Sequence, residues 1–171
     1  MGRLLLTALL VACVPEEDKP KPEPEPEPEI SCDPEAAPSL VIGQGQGSAF
    51  TPLVEGASVT LDVAPQGGYG VSIRAKTTGL LTDDAVDVLL ETEIEGELSG
   101  SFVNQGTNLY CQDDNTGLLW GVVVGFDSAS FPDPDALIAL DGEQATLIVE
   151  ATDVDGDSAR AEVVVIIEVG G

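Results

Sequence analysis

Thirty-one of the 171 residues are aspartate or glutamate, three are cysteine and none is histidine, so any chemistry here rests on carboxylates, hydroxyls or thiols. Without an imidazole there is no Ser-His or Cys-His nucleophile pair, and most zinc sites are excluded. The acid pairs Asp83-Asp84, Asp113-Asp114 and Asp133-Pro134-Asp135 are the residue type that glycoside hydrolysis uses. Aromatic residues are only 4% of the chain, however, so a platform for a sugar is hard to assemble. Solvated loop carboxylates are the commoner outcome for such pairs, and no enzymatic activity is expected. The glycines of Gly43-Gln44-Gly45-Gln46-Gly47 do not make a dinucleotide loop, because Ser48 stands where the third glycine is needed. They read instead as a flexible or bulged connection between short strands.

Calcium is the one metal for which ligands can be named. Asp153, Asp155 and Asp157 alternate through Asp153-Val154-Asp155-Gly156-Asp157, and clustered carboxylate oxygens are what Ca²⁺ takes. An EF-hand is excluded, since Gly156 falls fourth in that run instead of sixth and the twelfth position is Val164. A turn without metal accounts for the same residues, because Asp-Gly suits a hairpin turn on conformational grounds alone. If calcium binds, a second loop must contribute, with Asp113 and Asp114 or Asp83 and Asp84 as candidates. No other cofactor is expected.

Three further side chains invite a role. Trp120, in Leu118-Leu119-Trp120-Gly121-Val122, is expected as a buried anchor of the core, with an exposed ligand-binding tryptophan as the competing reading. Arg74 and Lys76 fall on the polar face of one strand, where they offset neighbouring carboxylates or, alternatively, form an anion site.

The elements that would position these residues are strands. Val59, Leu61 and Val63 alternate with polar residues, as do Val71, Ile73 and Ala75 against Ser72, Arg74 and Lys76; period two with β-branched residues means half-buried strands. Val86-Asp87-Val88 continues the pattern, weaker through Leu90 to Ile94, and Leu80 to Leu90 is ambiguous between strand and helix. The near-continuous apolar run from Leu118 to Phe126 suits a strand covered on both faces. The last thirty residues read as a β-hairpin about an Asp-Gly turn. Ala145, Leu147, Val149 and Ala151 share one face of its first strand, and Ala161, Val163, Val165, Ile167 and Val169 one face of its second. Ile148 is the exception on the opposite face of the first strand; Val164 and Ile166 break the polar face of the second, which suggests apolar cover on both sides of the terminal strand or its pairing with Leu40-Val41-Ile42. Residues 38–171 are therefore expected to form one all-β domain, a single antiparallel β-sandwich.

Ahead of it, Pro15 to Glu29 reads PEEDKPKPEPEPEPE. Such a run is a solvated, self-repelling polyproline-II spacer, roughly 45 Å long at ~3.1 Å per residue. Met1-Gly2-Arg3 and the apolar Leu4 to Ala12 have the form of an export signal, too short for a span of about 20 residues. The run closes on Leu10-Val11-Ala12-Cys13, which resembles the lipobox of bacterial lipoproteins. That resemblance implies cleavage before Cys13, acylation of Cys13, and a cell-envelope location on the bilayer. Val14 in place of an aspartate points to the outer membrane more than the inner. The expected organisation is a signal peptide over 1–12, a lipidated spacer over 13–37 and the sandwich over 38–171. Cys32 and Cys111 remain as an even pair in an oxidising compartment and are expected to bond, closing a loop whose chain entropy is worth about 4.5 kcal/mol. The net charge of −25 repels nucleic acid and anionic headgroups alike, so nucleic-acid binding is excluded and anchoring falls to the lipid.

The segment Glu150 to Val169, E-A-T-D-V-D-G-D-S-A-R-A-E-V-V-V-I-I-E-V, resembles the closing hairpin of bacterial immunoglobulin-like and polycystic-kidney-disease-type domains. Gly43 to Tyr69, with G-Q-G, F-T-P-L and P-Q-G-G-Y, is similar to a pattern in predicted lipoproteins of Gram-negative bacteria. These resemblances imply an immunoglobulin-like sandwich that lacks the usual cysteine pair around the core tryptophan. The functional expectation is a membrane-anchored lipoprotein displaying a non-catalytic interaction module for an envelope protein or polymer. The alternative is a structural or accessory envelope lipoprotein with no ligand of its own.

Overall fold

The structure, a computed structural model, describes residues 32–47, 49–63, 68–127, 129, 131 and 134–169. The expected signal peptide, Cys13 and the spacer through Ser31 lie outside these residues, as does Asp133. The described chain is almost wholly strand: β1 (Ser39–Gln44), β2 (Thr51–Pro52), β3 (Ala57–Val63), β4 (Tyr69–Thr78), β5 (Ala85–Ile94), β6 (Glu97–Asn108), β7 (Tyr110–Cys111), β8 (Gly117–Gly125), β9 (Gln144–Thr152) and β10 (Ser158–Glu168), with one short helix, α1 (Pro134–Ile138).

The strands form two layers. In one, β4 is flanked by β8 along one edge and by β1 and the second half of β3 along the other, with β7 and β2 extending the edges. The other runs from the first half of β3 through β10, β9 and β5 to β6. The consecutive strands β4 and β5 thus lie in different sheets, while β8 returns to β4 and β9 returns to β5. This is a Greek-key order within an all-β sandwich.

One ladder departs from the antiparallel expectation. β10 runs parallel to β3, from Val165 opposite Ala57 to Glu168 opposite Thr60. It does not pair with Leu40-Val41-Ile42, whose partner is β4. After Thr60 the strand β3 leaves β10 and Leu61 joins β4 opposite Val71, so a single strand stitches the two sheets along one side. On the other side Asp127 donates its N–H to Ser99 O (2.7 Å) and Thr92 Oγ1 donates to Gly125 O (2.9 Å). Glycine is required at that seam, because a Cβ on Gly100 would stand 2.2 Å from Gly125 O.

The core lies between the sheets. Val71, Ile73 and Ala75 point into it from β4, Val86, Val88 and Leu90 from β5, Ala145, Leu147, Val149 and Ala151 from β9, and Val165 and Ile167 from β10. The terminal hairpin forms as expected, with Ala145 opposite Val165 and Ala151 opposite Ala159. Leu80 to Leu90 resolves as a loop leading into β5. Ile148 is buried on the outer face instead, between Glu91 and Glu162 in the neighbouring strands.

Cys32 and Cys111 are joined, with Cα atoms 5.7 Å apart across 79 residues. The bond ties the start of the domain to β7 and, through β7, to β8. Strand β6 carries no apolar alternation: Glu-Leu-Ser-Gly-Ser-Phe-Val-Asn-Gln-Gly-Thr-Asn is polar and glycine-rich, and most of it is exposed. It pairs only with β5, through the tight turn Glu95-Gly96, where both residues adopt positive φ (52° and 80°). Such a turn matches the twist of a two-residue hairpin.

Candidate functional site

The expectation that Trp120 anchors the core is corrected: its side chain stands on the outer face of the β4–β8 sheet and is 45% exposed. A β-bulge is the cause. Ile73 pairs with Val122 and Ala75 with Leu119, so Arg74 alone faces both Trp120 and Gly121, and Gly121 takes φ +64°. The extra residue shifts the alternation, so Leu119, Val122 and Val124 point inward while Trp120 and Gly121 both point out. Bulges re-aim side chains in this way. The expectation of a strand buried on both faces therefore holds at Leu118, Leu119 and Val124 and fails at the bulge.

Tyr110, also 45% exposed, stands beside Trp120 with ring centroids 6.0 Å apart and planes tilted by 59°. β7 sets it there by pairing Tyr110 with Leu118 and Cys111 with Gly117, and the disulfide fixes Cys111 in turn. Asn108 Nδ2 donates to the Tyr110 hydroxyl (3.2 Å), and Gln112 Nε2 donates to the carbonyls of Tyr110 and Cys111 (both 3.2 Å). With Thr107 these residues line an open groove of about 550 Å³, within the size range of small-ligand sites, ~300–1,000 Å³.

Two of the three cations among the described residues back this face. Arg74 packs over the Trp120 ring at 5.2 Å and donates from Nη1 to Gly47 O and, at 3.0 Å, to Ala49 O. The Gly43–Gly47 segment thus connects β1 to β2 and also supplies a carbonyl that holds Arg74. Lys76 bonds Asp114 and lies 5.4 Å from the Phe50 ring. The hydrogen bond from Lys76, followed by that from Thr116, holds the Asp114 carboxyl below its ordinary range. The expectation that both cations offset carboxylates is met by Lys76, whereas Arg74 is spent on carbonyls and an aromatic face.

The carboxylates singled out for calcium are used differently. Asp153 is buried; its Oδ1 accepts the N–H groups of Asp155 (3.1 Å) and Asp157 (3.0 Å), and its Oδ2 accepts that of Leu81 (3.0 Å). It locks its own turn and ties that turn to the β4–β5 connection, while Asp155 and Asp157 are exposed. Among the described residues no three His, Cys, Asp or Glu side chains converge as a metal site. Asp84 likewise serves its own loop, accepting Ala85 N–H at 2.8 Å.

Sequence reasoning missed Tyr110, Asn108 and Gln112. The signal was present: from Leu98 to Gln112 no residue is charged, in a chain where 22% are. A comparison with protein-family models finds no match to this chain, and a comparison with curated proteins finds none either.

Proposed function

We propose that this chain is a lipid-anchored envelope protein, attached through Cys13, whose β-sandwich is a non-catalytic interaction module presenting the Tyr110–Trp120 face. The observation that carries the interaction half is the exposure of Trp120, the only tryptophan in the chain. A half-exposed tryptophan beside a half-exposed tyrosine is the side-chain chemistry of binding surfaces, since each ring offers a large contact area with few rotors to freeze. This favours a module with a ligand over a passive envelope subunit. The anchor half rests on the resemblance of Leu10-Val11-Ala12-Cys13 to a lipobox and on the Pro-Glu run that would set the domain off the bilayer. No helix among the described residues is long and apolar enough to cross a membrane.

The test uses the intact exported chain. Cys13→Ser should move the protein from the membrane fraction to the soluble one, and retention in membranes defeats the anchor. The released protein should sediment with isolated envelopes of the producing cell, and Trp120→Ala should abolish that sedimentation. Sedimentation that is absent, or indifferent to Trp120, defeats the interaction reading.

A further inference from the structure

We propose that the groove between Tyr110 and Trp120 binds a neutral oligosaccharide, the exposed stretch of an envelope polysaccharide. This inference rests on the interaction reading above and names the chemical class of its ligand.

Charge is the first argument. The domain belongs to a chain with 31 acidic residues, yet Thr107, Asn108, Tyr110, Cys111, Gln112 and Trp120, which line the groove, are all uncharged. An anionic ligand would be repelled by the domain as a whole, and a cationic one would find no carboxylate in the lining. Beside the groove Lys76 is bonded directly to Asp114, and Arg74 is spent on two loop carbonyls and the Trp120 ring. The lining is therefore uncharged on a molecule that is otherwise strongly negative, and a neutral ligand is the class that matches it.

The lining chemistry is the second. A sugar ring has an apolar C–H face and a rim of hydroxyls that both donate and accept. Trp120 and Tyr110 offer two ring faces for the first, and the amides of Asn108 and Gln112 with the hydroxyls of Thr107 and Tyr110 offer donors and acceptors for the second. An amphipathic helix would instead require an aliphatic floor, and the groove has none. The 59° tilt between the rings suits consecutive residues of a twisted polymer better than one flat aromatic ligand.

The third argument is preorganisation, which lowers the cost of ordering a weakly held ligand. Arg74 backs Trp120 and is itself pinned by two loop carbonyls. Asn108 holds the Tyr110 hydroxyl, and the Cys32–Cys111 bond braces the short strand that carries Tyr110. A core-packing tryptophan needs none of this scaffolding.

The experiment takes the exported chain with Cys13→Ser to an array of neutral and acidic glycans, followed by titration of the best neutral hit. Because Trp120 is the sole tryptophan, its emission and its shielding from acrylamide read this groove alone. Expected are saturable binding to a neutral glycan, protection of Trp120, an affinity that changes less than twofold between low and high salt, and at least tenfold weakening, by calorimetry, in Tyr110→Ala and in Trp120→Ala. Far-UV circular dichroism of both variants should match the parent. Binding confined to acidic glycans, or no glycan binding, overturns the proposal. So does a Trp120 already shielded without sugar, if Gln replacement of Glu23, Glu25, Glu27 and Glu29 exposes it, since the chain's own acidic segment would then be the occupant. Concentration-dependent shielding would assign the groove to a second copy and overturn the proposal as well. Envelope sedimentation that depends on Trp120 but is not inhibited by neutral glycans leaves the interaction reading standing and removes the sugar.

Discussion

Replacing Asp153 by alanine removes one carboxylate and three hydrogen bonds at once. Asp155 and Asp157 are exposed residues whose N–H groups can turn to water, so their loss costs little beyond the local ordering of the turn. Leu81, unlike them, is half-buried, and a donor stranded there costs about 1–3 kcal/mol, while a hydrogen bond to a charged acceptor contributes ~1.5–3 kcal/mol net. These terms overlap because the bonds share one group, which puts Asp153→Ala at about 3 kcal/mol of destabilisation. Asp153→Asn keeps one oxygen for the turn but sets an amide group against Leu81 N–H, for about 1–2 kcal/mol. Thermal unfolding followed by circular dichroism should fall by roughly 9 °C for alanine, at ~3 °C per kcal/mol for a domain of this size, with asparagine in between. The order alanine, asparagine, parent should be the same in EDTA and in calcium. A loss under about 0.5 kcal/mol for Asp153→Ala, the range of an ordinary surface substitution, refutes the turn-lock argument. Parent stability that rises by ~1.4 kcal/mol at calcium tenfold above its dissociation constant, with no rise in Asp153→Asn, would return the turn to metal binding.

Two other perturbations separate backbone from side-chain constraint and fix a sign with pH. Gly100→Ala should cost about 3 kcal/mol in urea unfolding, because its Cβ meets Gly125 O at 2.2 Å and Thr92 Oγ1 at 2.8 Å, a close-packed seam that must open. The amide of Asp127, bonded to Ser99 O across that seam, should exchange faster. Gly125→Ala meets only the ring of the exposed Phe102 and should cost under about 1 kcal/mol. The Asp114 carboxyl is held below its ordinary range by Lys76 first and Thr116 second, so its small contribution to stability is fully present above the unfolded-state pKa and is lost as pH falls through the lower folded one. NMR titration of Asp114 should show the depression, and Lys76→Met should move it back up. An exposed pair of this kind is worth at most ~1 kcal/mol, so a larger loss of stability in that variant contradicts the assignment.

Where a residue's own neighbours in sequence decide its place, the sequence was enough. The alternation through Val71, Ile73 and Ala75 fixes which face of β4 is inward, because successive side chains of a strand point to opposite sides. Asp155-Gly156 between two alternating runs fixes the terminal hairpin, while its register, Thr152 opposite Ser158, came from the structure. Reading Cys13 as the lipid site left Cys32 and Cys111 as the pair to bond, and these two are joined. Tertiary structure decided what depends on residues far along the chain. That β3 divides itself between β10 and β4 follows from which edges lie open after the other strands have paired, and nothing in Ala57 to Val63 encodes it. Strand β6 has almost no alternation and exists as a strand because β5 offers it an edge across the Glu95-Gly96 turn. Trp120 shows the limit most directly: in a near-continuous apolar run every residue reads as buried. A single extra residue opposite Arg74 turned the tryptophan outward, because a ladder with one strand longer than its partner must bulge, and only the pairing of β4 with β8 says where.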